Sequence, residues 1–156
     1  MPTLLVLRHA KAVTGFGTPD HERPLADRGR HDSAALGDHL RSAGLHPDLV
    51  LCSTAKRTRQ TLQGLALDGS AVQYEEDIYD NEPEILFDLI RQTDTGIGLL
   101  LVIGHNPSSH QLVHDLTGDG PDAFPTCAMA VIDVPAWPEV RPGTGTLTAT
   151  WTPKTP

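Results

Sequence analysis

The chain has 156 residues, with 12 Lys+Arg against 20 Asp+Glu and a net charge of -8 when its eight histidines are counted neutral. That length predicts one domain over residues 1–156, with a core made of aliphatic side chains because only 4% of residues are aromatic. The acidic balance argues against a nucleic-acid binder and against a polybasic membrane-surface protein, both of which carry a basic surplus.

Thr3–Leu7 reads as an apolar strand that stops at Arg8-His9. It is too short for a secretory h-region, and no stretch approaches the ~20 apolar residues of a membrane span, so a cytoplasmic protein is expected. A helix follows from an N-cap at Asp27 through Leu36, Leu40 and Ala43 to a stop at Gly44. Leu49–Cys52 is a second strand, and Ala55–Ala66 a second helix with Thr58, Leu62 and Leu65 on one face. Val72–Tyr74 forms a short strand. Ile85, Leu86, Leu89 and Ile90 make the apolar stripe of a third helix that starts near Asn81–Pro83.

Gly98–Ile103 is the strongest strand, followed by Gly104-His105-Asn106-Pro107 and a helix through Leu112, Val113 and Leu116. Cys127–Val134 and Thr144–Trp151 read as two further strands around a Pro-rich loop, with Trp137 and Trp151 packing on the sheet. Cys52 and Cys127 lie in or beside strands and are expected to be buried thiols. Strands that alternate with helices and end in a β-rich tail predict a three-layer α/β/α sandwich. Its central sheet is mostly parallel and mixed, with antiparallel edges from the last strands.

Ligands of open α/β sheets bind beyond the carboxyl ends of the strands. Those ends carry Arg8-His9-Ala10-Lys11, Ser53-Thr54-Ala55-Lys56-Arg57 and Gly104-His105-Asn106-Pro107. Two histidines, two arginines and two lysines therefore gather at one end of the sheet. One such residue is ordinarily a solvated turn, but three strand ends together suit phosphoryl transfer. Guanidinium forks match phosphoryl oxygens, a neutral imidazole attacks phosphorus, and the helices starting near Ala55 and after Pro107 offer N–H groups to an anion. Lys56 and Arg59 flank Arg57 at other angles, so at most one of them reaches the site with it.

Arg8-His9 after an N-terminal apolar strand resembles the Arg-His signature of the histidine phosphatase superfamily. Ser53-Thr54-Ala55-Lys56-Arg57-Thr58-Arg59-Gln60-Thr61 resembles its Ser-x-x-x-Arg-x-x-Gln-Thr motif, and Gly104-His105-Asn106-Pro107 its second-histidine motif. Arg23-Pro24-Leu25 with Arg28-Gly29 resembles a segment of the small bacterial branch that contains the SixA-type phosphohistidine phosphatases. The resemblance implies a phosphoglycerate mutase-like fold with His9 as nucleophile, Arg8 and Arg57 binding phosphate oxygens, and His105 stabilising the transferring group. Arg23 and Lys11 are further phosphate-binding candidates. It implies no cofactor and no metal, because the arginines supply the positive charge. Ala10 stands where many members have Gly.

Esterases of the superfamily protonate an alcohol leaving group with a carboxylic acid. Asp80 and Glu82 are the candidate general acids here, with Glu84 beside them. A structural reading, with Glu84 in a capping box with Asn81, ranks ahead of the catalytic one. A phosphohistidine substrate depends less on such an acid, and a short chain leaves little room for a lid. The expected activity is therefore removal of phosphate from phosphohistidine on a phosphotransfer protein. The alternatives are a phosphomonoesterase acting on a small metabolite and a non-catalytic phosphate-binding module. The expected partner is a phosphorylated protein or small phosphorylated substrate, with no nucleic acid and no membrane, and the chain itself a monomer. His110 and His114 stand at i and i+4 but lack the glutamate of HExxH, and they read as ordinary helix residues; His21, His31, His39 and His46 are scattered among polar loop and helix residues and need no function.

Overall fold

Successive residues of β1 (Thr3–Arg8) point to opposite sides of a sheet, and in a computed structural model, which describes residues 1–154, both sides are covered. Leu4 and Val6 enter one core, Leu5 and Leu7 the other. The same double burial explains the unbroken apolar runs of β2 (Leu49–Ser53) and β4 (Leu99–Gly104). With β3 (Ala71–Glu75), β5 (Met129–Asp133) and β6 (Thr146–Trp151), the sheet order is β3-β2-β4-β1-β5-β6. The first four strands in that order run parallel, while β5 and β6 add antiparallel pairings.

Helices α1 (Asp27–Ala43) and α2 (Lys56–Leu65) cover one face with Leu36, Leu40, Leu62 and Leu65. Helices α3 (Pro83–Arg91) and α4 (Ser108–Thr117) cover the other with Leu86, Phe87, Ile90, Leu112, Val113 and Leu116. The result is the three-layer mixed α/β sandwich expected from the sequence. Trp137 is fully buried and its indole N–H donates to the Ile97 carbonyl at 2.8 Å. Cys52 and Cys127 are free and buried, and desolvation pushes both thiols up to about 12. No helix among the described residues is long and apolar enough to cross a membrane.

Three local details depart from the sequence reading. Asp27 is the first residue of α1 rather than its cap: Ala26 holds the cap position, and the Asp27 carboxylate accepts from Arg30 at 2.5 Å. An unanticipated 3-10 turn over Glu76–Asp80 ends at Asn81, which adopts φ 64°, and Glu82 becomes the N-cap position of α3. The expected Asn81–Glu84 capping box is thus absent, since the Asn81 side chain is used on α4 instead. Strands β1, β2 and β4 each run one residue further than predicted, to Arg8, Ser53 and Gly104.

Gly29 has a positional reason. A methyl group on its Cα would strike the Lys11 carbonyl oxygen, so only glycine lets α1 press directly on the loop that follows β1.

Candidate active site

The parallel strands deliver their chemistry at their carboxyl ends. His9 follows β1, and its backbone N–H donates to the Gly104 carbonyl at 3.0 Å, which locks the two strand exits side by side. Its ring Nδ1 lies 2.7 Å from the Ala10 carbonyl oxygen. A carbonyl only accepts, so Nδ1 carries the proton and Nε2 presents a lone pair. Burial is the main reason the ring's pKa falls to about 4; the Ala10 bond opposes that fall, and the charges of Arg57, Arg8 and Arg23 add to it. At neutral pH His9 is an uncharged imidazole in one tautomer, the form a nucleophile needs.

The motif residues around it are structural supports. Ala10 N–H donates to Thr61 Oγ1 at 2.9 Å, and that hydroxyl donates to the Arg57 carbonyl at 2.7 Å. Gln60 Oε1 accepts from Leu25 N at 2.7 Å, which fastens the Arg23-Pro24-Leu25 segment to α2. The methyl of Ala10 is fully buried in the α1/α2 core, so the residue that replaces glycine packs without meeting the cleft.

His105 follows β4 with its ring centroid 5.4 Å from that of His9. Its Nε2 lies 2.8 Å from Ser53 Oγ, which already accepts the Ala55 N–H at 3.3 Å. The serine proton is therefore available to Nε2, an arrangement that leaves the ring proton on Nδ1. Burial, followed by His9 and Arg57, lowers the His105 pKa to about 3. Its Nδ1 is buried without a protein partner, and so are the Nε atoms of Arg8 and Arg57. Both guanidiniums are anchored elsewhere: Arg8 Nη1 donates to the Phe124 carbonyl at 3.2 Å, and Arg57 donates to Asp20 through Nη1 and Nη2. Three orphaned buried polar groups of this kind are what a tetrahedral anion with several acceptor oxygens satisfies.

Arg8, His9, Lys11, Arg23, Arg57 and His105 all line one open cleft of about 450 Å³. Lys11 is exposed at its edge, whereas Arg23 is held by the Val13 carbonyl and Asp20. Asp80 and Glu82 do not line it. Both are exposed, because the 3-10 turn directs Tyr79 and Asn81 to the cleft in their place. Lys56 and Arg59 also stay outside, Arg59 bonding to the Thr54 carbonyl at 2.9 Å. The first N–H of α4 is not offered to the cleft either: Ser108 N donates to Asn81 Oδ1 at 3.0 Å.

Sequence reasoning missed Asp20, Tyr79, Asn81 and Asn106. Asp20 is the carboxylate of the cleft. Its Oδ1 accepts from Arg23 Nε at 3.0 Å, and its Oδ2 accepts from Arg57 Nη2 at 3.1 Å and from the Tyr79 hydroxyl at 2.5 Å. The Tyr79 hydrogen bond is the largest cause that lowers its pKa to about 2; burial opposes it, and Arg57 and Arg23 add to the fall. Asp20 is thus an ionised clamp on two arginines. It lies 37 residues before Arg57 and 59 before Tyr79, and the one local signal was its position three residues ahead of Arg23. His21, read as background, places its ring edge-on to Tyr79 and its Nε2 3.0 Å from Thr54 Oγ1 at the rim.

The family model of the histidine phosphatase superfamily (branch 1) matches residues 4–82, a span that includes Arg8, His9 and Arg57 and stops short of His105. An uncharacterized protein of Mycobacterium tuberculosis is 36% identical over 159 residues, covering 95% of this chain and 100% of the relative. A candidate phosphohistidine phosphatase SixA from Nakamurella multipartitia superposes with a TM-score of 0.88 at 26% identity, covering 99% of this chain and 97% of that one. The protein histidine phosphatase SixA complexed with tungstate superposes with a TM-score of 0.84 at 25% identity, covering 97% of each chain.

Proposed function

This chain belongs to the histidine phosphatase superfamily, in its SixA-type branch, and is a phosphatase; from that premise we propose that it removes phosphate from phosphohistidine on a phosphotransfer protein, through a transient phosphoryl group on His9. In the first step His9 Nε2 forms a bond to phosphorus as the phosphorus–nitrogen bond of the substrate histidine breaks. The electron pair leaves with the substrate imidazole, which takes a proton from solvent or departs already protonated. In the second step water attacks the phosphoryl group, His9 recovers its lone pair, and inorganic phosphate leaves. The Nε–H groups of Arg8 and Arg57 and the Nδ1–H of His105 meet the oxygens whose negative charge must be held throughout. In this mechanism the two guanidiniums supply the positive charge, the neutral His105 ring adds a hydrogen bond, and no metal enters a step. The likeness to a SixA complexed with tungstate, a tetrahedral oxyanion shaped like phosphate, supports the binding of such an anion by this fold.

The observation that carries the choice of substrate is the state of Asp20. It is the one carboxylate among the cleft-lining residues, and it is ionised well below neutral pH by Tyr79 and two arginines. It has no proton to give to an alkoxide, whereas an imidazole with an ordinary pKa near 6.5 leaves without a positioned acid. The open cleft also suits a side chain presented on a protein surface.

The test compares a histidine-phosphorylated phosphotransfer domain with p-nitrophenyl phosphate and common phosphorylated metabolites, with His9→Ala as control. Phosphohistidine turnover that disappears in His9→Ala is expected. Turnover of a metabolite with none on phosphohistidine points to an esterase, binding without turnover points to a phosphate-binding module, and phosphohistidine loss persisting in His9→Ala refutes the nucleophile.

A further inference from the structure

On the far side of the segment that anchors Arg8, three donor atoms converge. His110 and His114, one turn apart on α4, bring their Nε2 atoms to 3.2 Å from each other. The Pro121 carbonyl oxygen lies 2.7 Å from His110 Nε2 and 3.0 Å from His114 Nε2. Without a cation the two lone pairs of the carbonyl oxygen accept both Nε2–H groups; with the ring protons on Nδ1 instead, the same three atoms present three converging lone pairs.

Three lone pairs converging within 2.7 to 3.2 Å of one another have the spacing of a cation's donor set. We propose that His110 Nε2, His114 Nε2 and the Pro121 carbonyl oxygen form a binding site for a divalent late transition-metal ion, of the zinc, nickel or copper class, separate from the phosphoryl cleft. Metal–nitrogen bonds of ~2.0–2.1 Å and a nitrogen separation of 3.2 Å give an N–metal–N angle of about 100°, inside the range such ions accept. The i,i+4 spacing on a helix supplies the pair in a fixed relation, and both rings are half-buried, so little side-chain freedom is lost on binding. No group of three His, Cys, Asp or Glu forms among the described residues, so the protein gives three donors, one of them a main-chain carbonyl, and water completes the shell. That donor set, without a carboxylate base, fits a structural ion rather than a hydrolytic one.

The position gives the ion something to stabilise. The His110 ring stacks on Phe124 at 5.8 Å between centroids. The Phe124 carbonyl in turn accepts from Arg8 Nη1 at 3.2 Å and from Asn106 Nδ2 at 2.8 Å. Tying Pro121 to α4 therefore fixes the connection between α4 and β5 against which two cleft residues rest.

The test titrates chelator-treated, tag-free protein with zinc chloride, read by calorimetry and by the thermal midpoint. The expected result is one equivalent bound with a Kd in the micromolar range and a raised midpoint, with affinity at least tenfold weaker in His110→Gln and in His114→Gln. His9→Ala, which alters the other histidine pair, is expected to bind zinc as the unaltered protein does. Two substitutions on separate turns keep the test decisive if one of them fails to fold. No zinc uptake up to 100-fold excess overturns the site, as does equal binding by both variants, or binding lost only in His9→Ala.

Discussion

Replacing Asp20 by asparagine tests whether the cleft carboxylate is a clamp or an acid. The substitution keeps the backbone carbonyl that receives Arg57 Nη1 at 2.8 Å. It converts one carboxylate oxygen into an NH2 group, so either the Arg23 contacts at 3.0 Å or the Arg57 and Tyr79 contacts at 3.1 and 2.5 Å become donor against donor. A charge-assisted hydrogen bond is worth ~1.5–3 kcal/mol where it is shielded. The Asp20 side chain is 55% exposed, and solvent screening reduces that to about 1–1.5 kcal/mol. If the loss falls on the placing of Arg57, kcat/KM drops by roughly tenfold. Arg57 acts on the phosphoryl group and not on the leaving group, so the drop is the same for a phosphohistidine protein and for p-nitrophenyl phosphate. The assay measures kcat/KM on both substrates at pH 7. A fall confined to the ester, of the ~10²–10⁴ size expected on deleting a general acid, would refute the clamp, as would no change on either substrate.

Asp80→Asn and Glu82→Gln are expected to leave kcat/KM on both substrates within about twofold, because both side chains are exposed outside the cleft; a large loss in either one would return it to the chemistry. Ser53→Ala removes the hydroxyl that sets the His105 tautomer and accepts the Ala55 N–H, and it is expected to lower kcat by about tenfold, one hydrogen bond's worth, with a lowered thermal midpoint. An unaltered kcat would show that the ring is held without it. With His9 lowered to about 4 and His105 to about 3, kcat/KM is expected to stay level from pH 7 to near pH 5 and to fall as His9 protonates. Unfolded histidine titrates near 6.5, so between pH 6.5 and 4 the unfolded chain binds more protons than the folded one. Stability is therefore lost as pH falls through that window, and urea unfolding of His9→Ala is expected to show a shallower pH dependence. Gly29→Ala drives a methyl into the Lys11 carbonyl and is expected to cost about 1–3 kcal/mol of stability, read as a lower urea midpoint.

Much of the fold was legible because its signals are local. The apolar runs of β1, β2 and β4 announce strands buried on two faces, and the stripes of α1, α2 and α4 repeat at helical spacing. The gathering of the cleft residues was legible for a related reason: Arg8-His9, Arg57 and His105 follow recognisable strands, and an α/β sheet brings such exits to one end. The carboxylate of the cleft was not legible. Asp80 and Glu82 hold the right sequence interval after β3, but a 3-10 turn and the left-handed Asn81 rotate Tyr79 and Asn81 inward and leave both carboxylates in solvent.

The sequence by itself determined the order of elements, the sandwich and the strand exits that carry His9 and His105, since each is carried by residues within a few positions of one another. Tertiary structure alone decided which carboxylate faces the phosphoryl site, which tautomer His9 adopts, and that His105 leans on Ser53. Those properties belong to contacts between segments dozens of residues apart, where Asp20 meets Arg57 and Tyr79. The net charge of -8 likewise says little about the cleft, where Arg8, Arg23, Arg57 and Lys11 meet around a single carboxylate. Net charge is a sum over the whole surface, whereas a binding site responds to the few groups that folding has desolvated together.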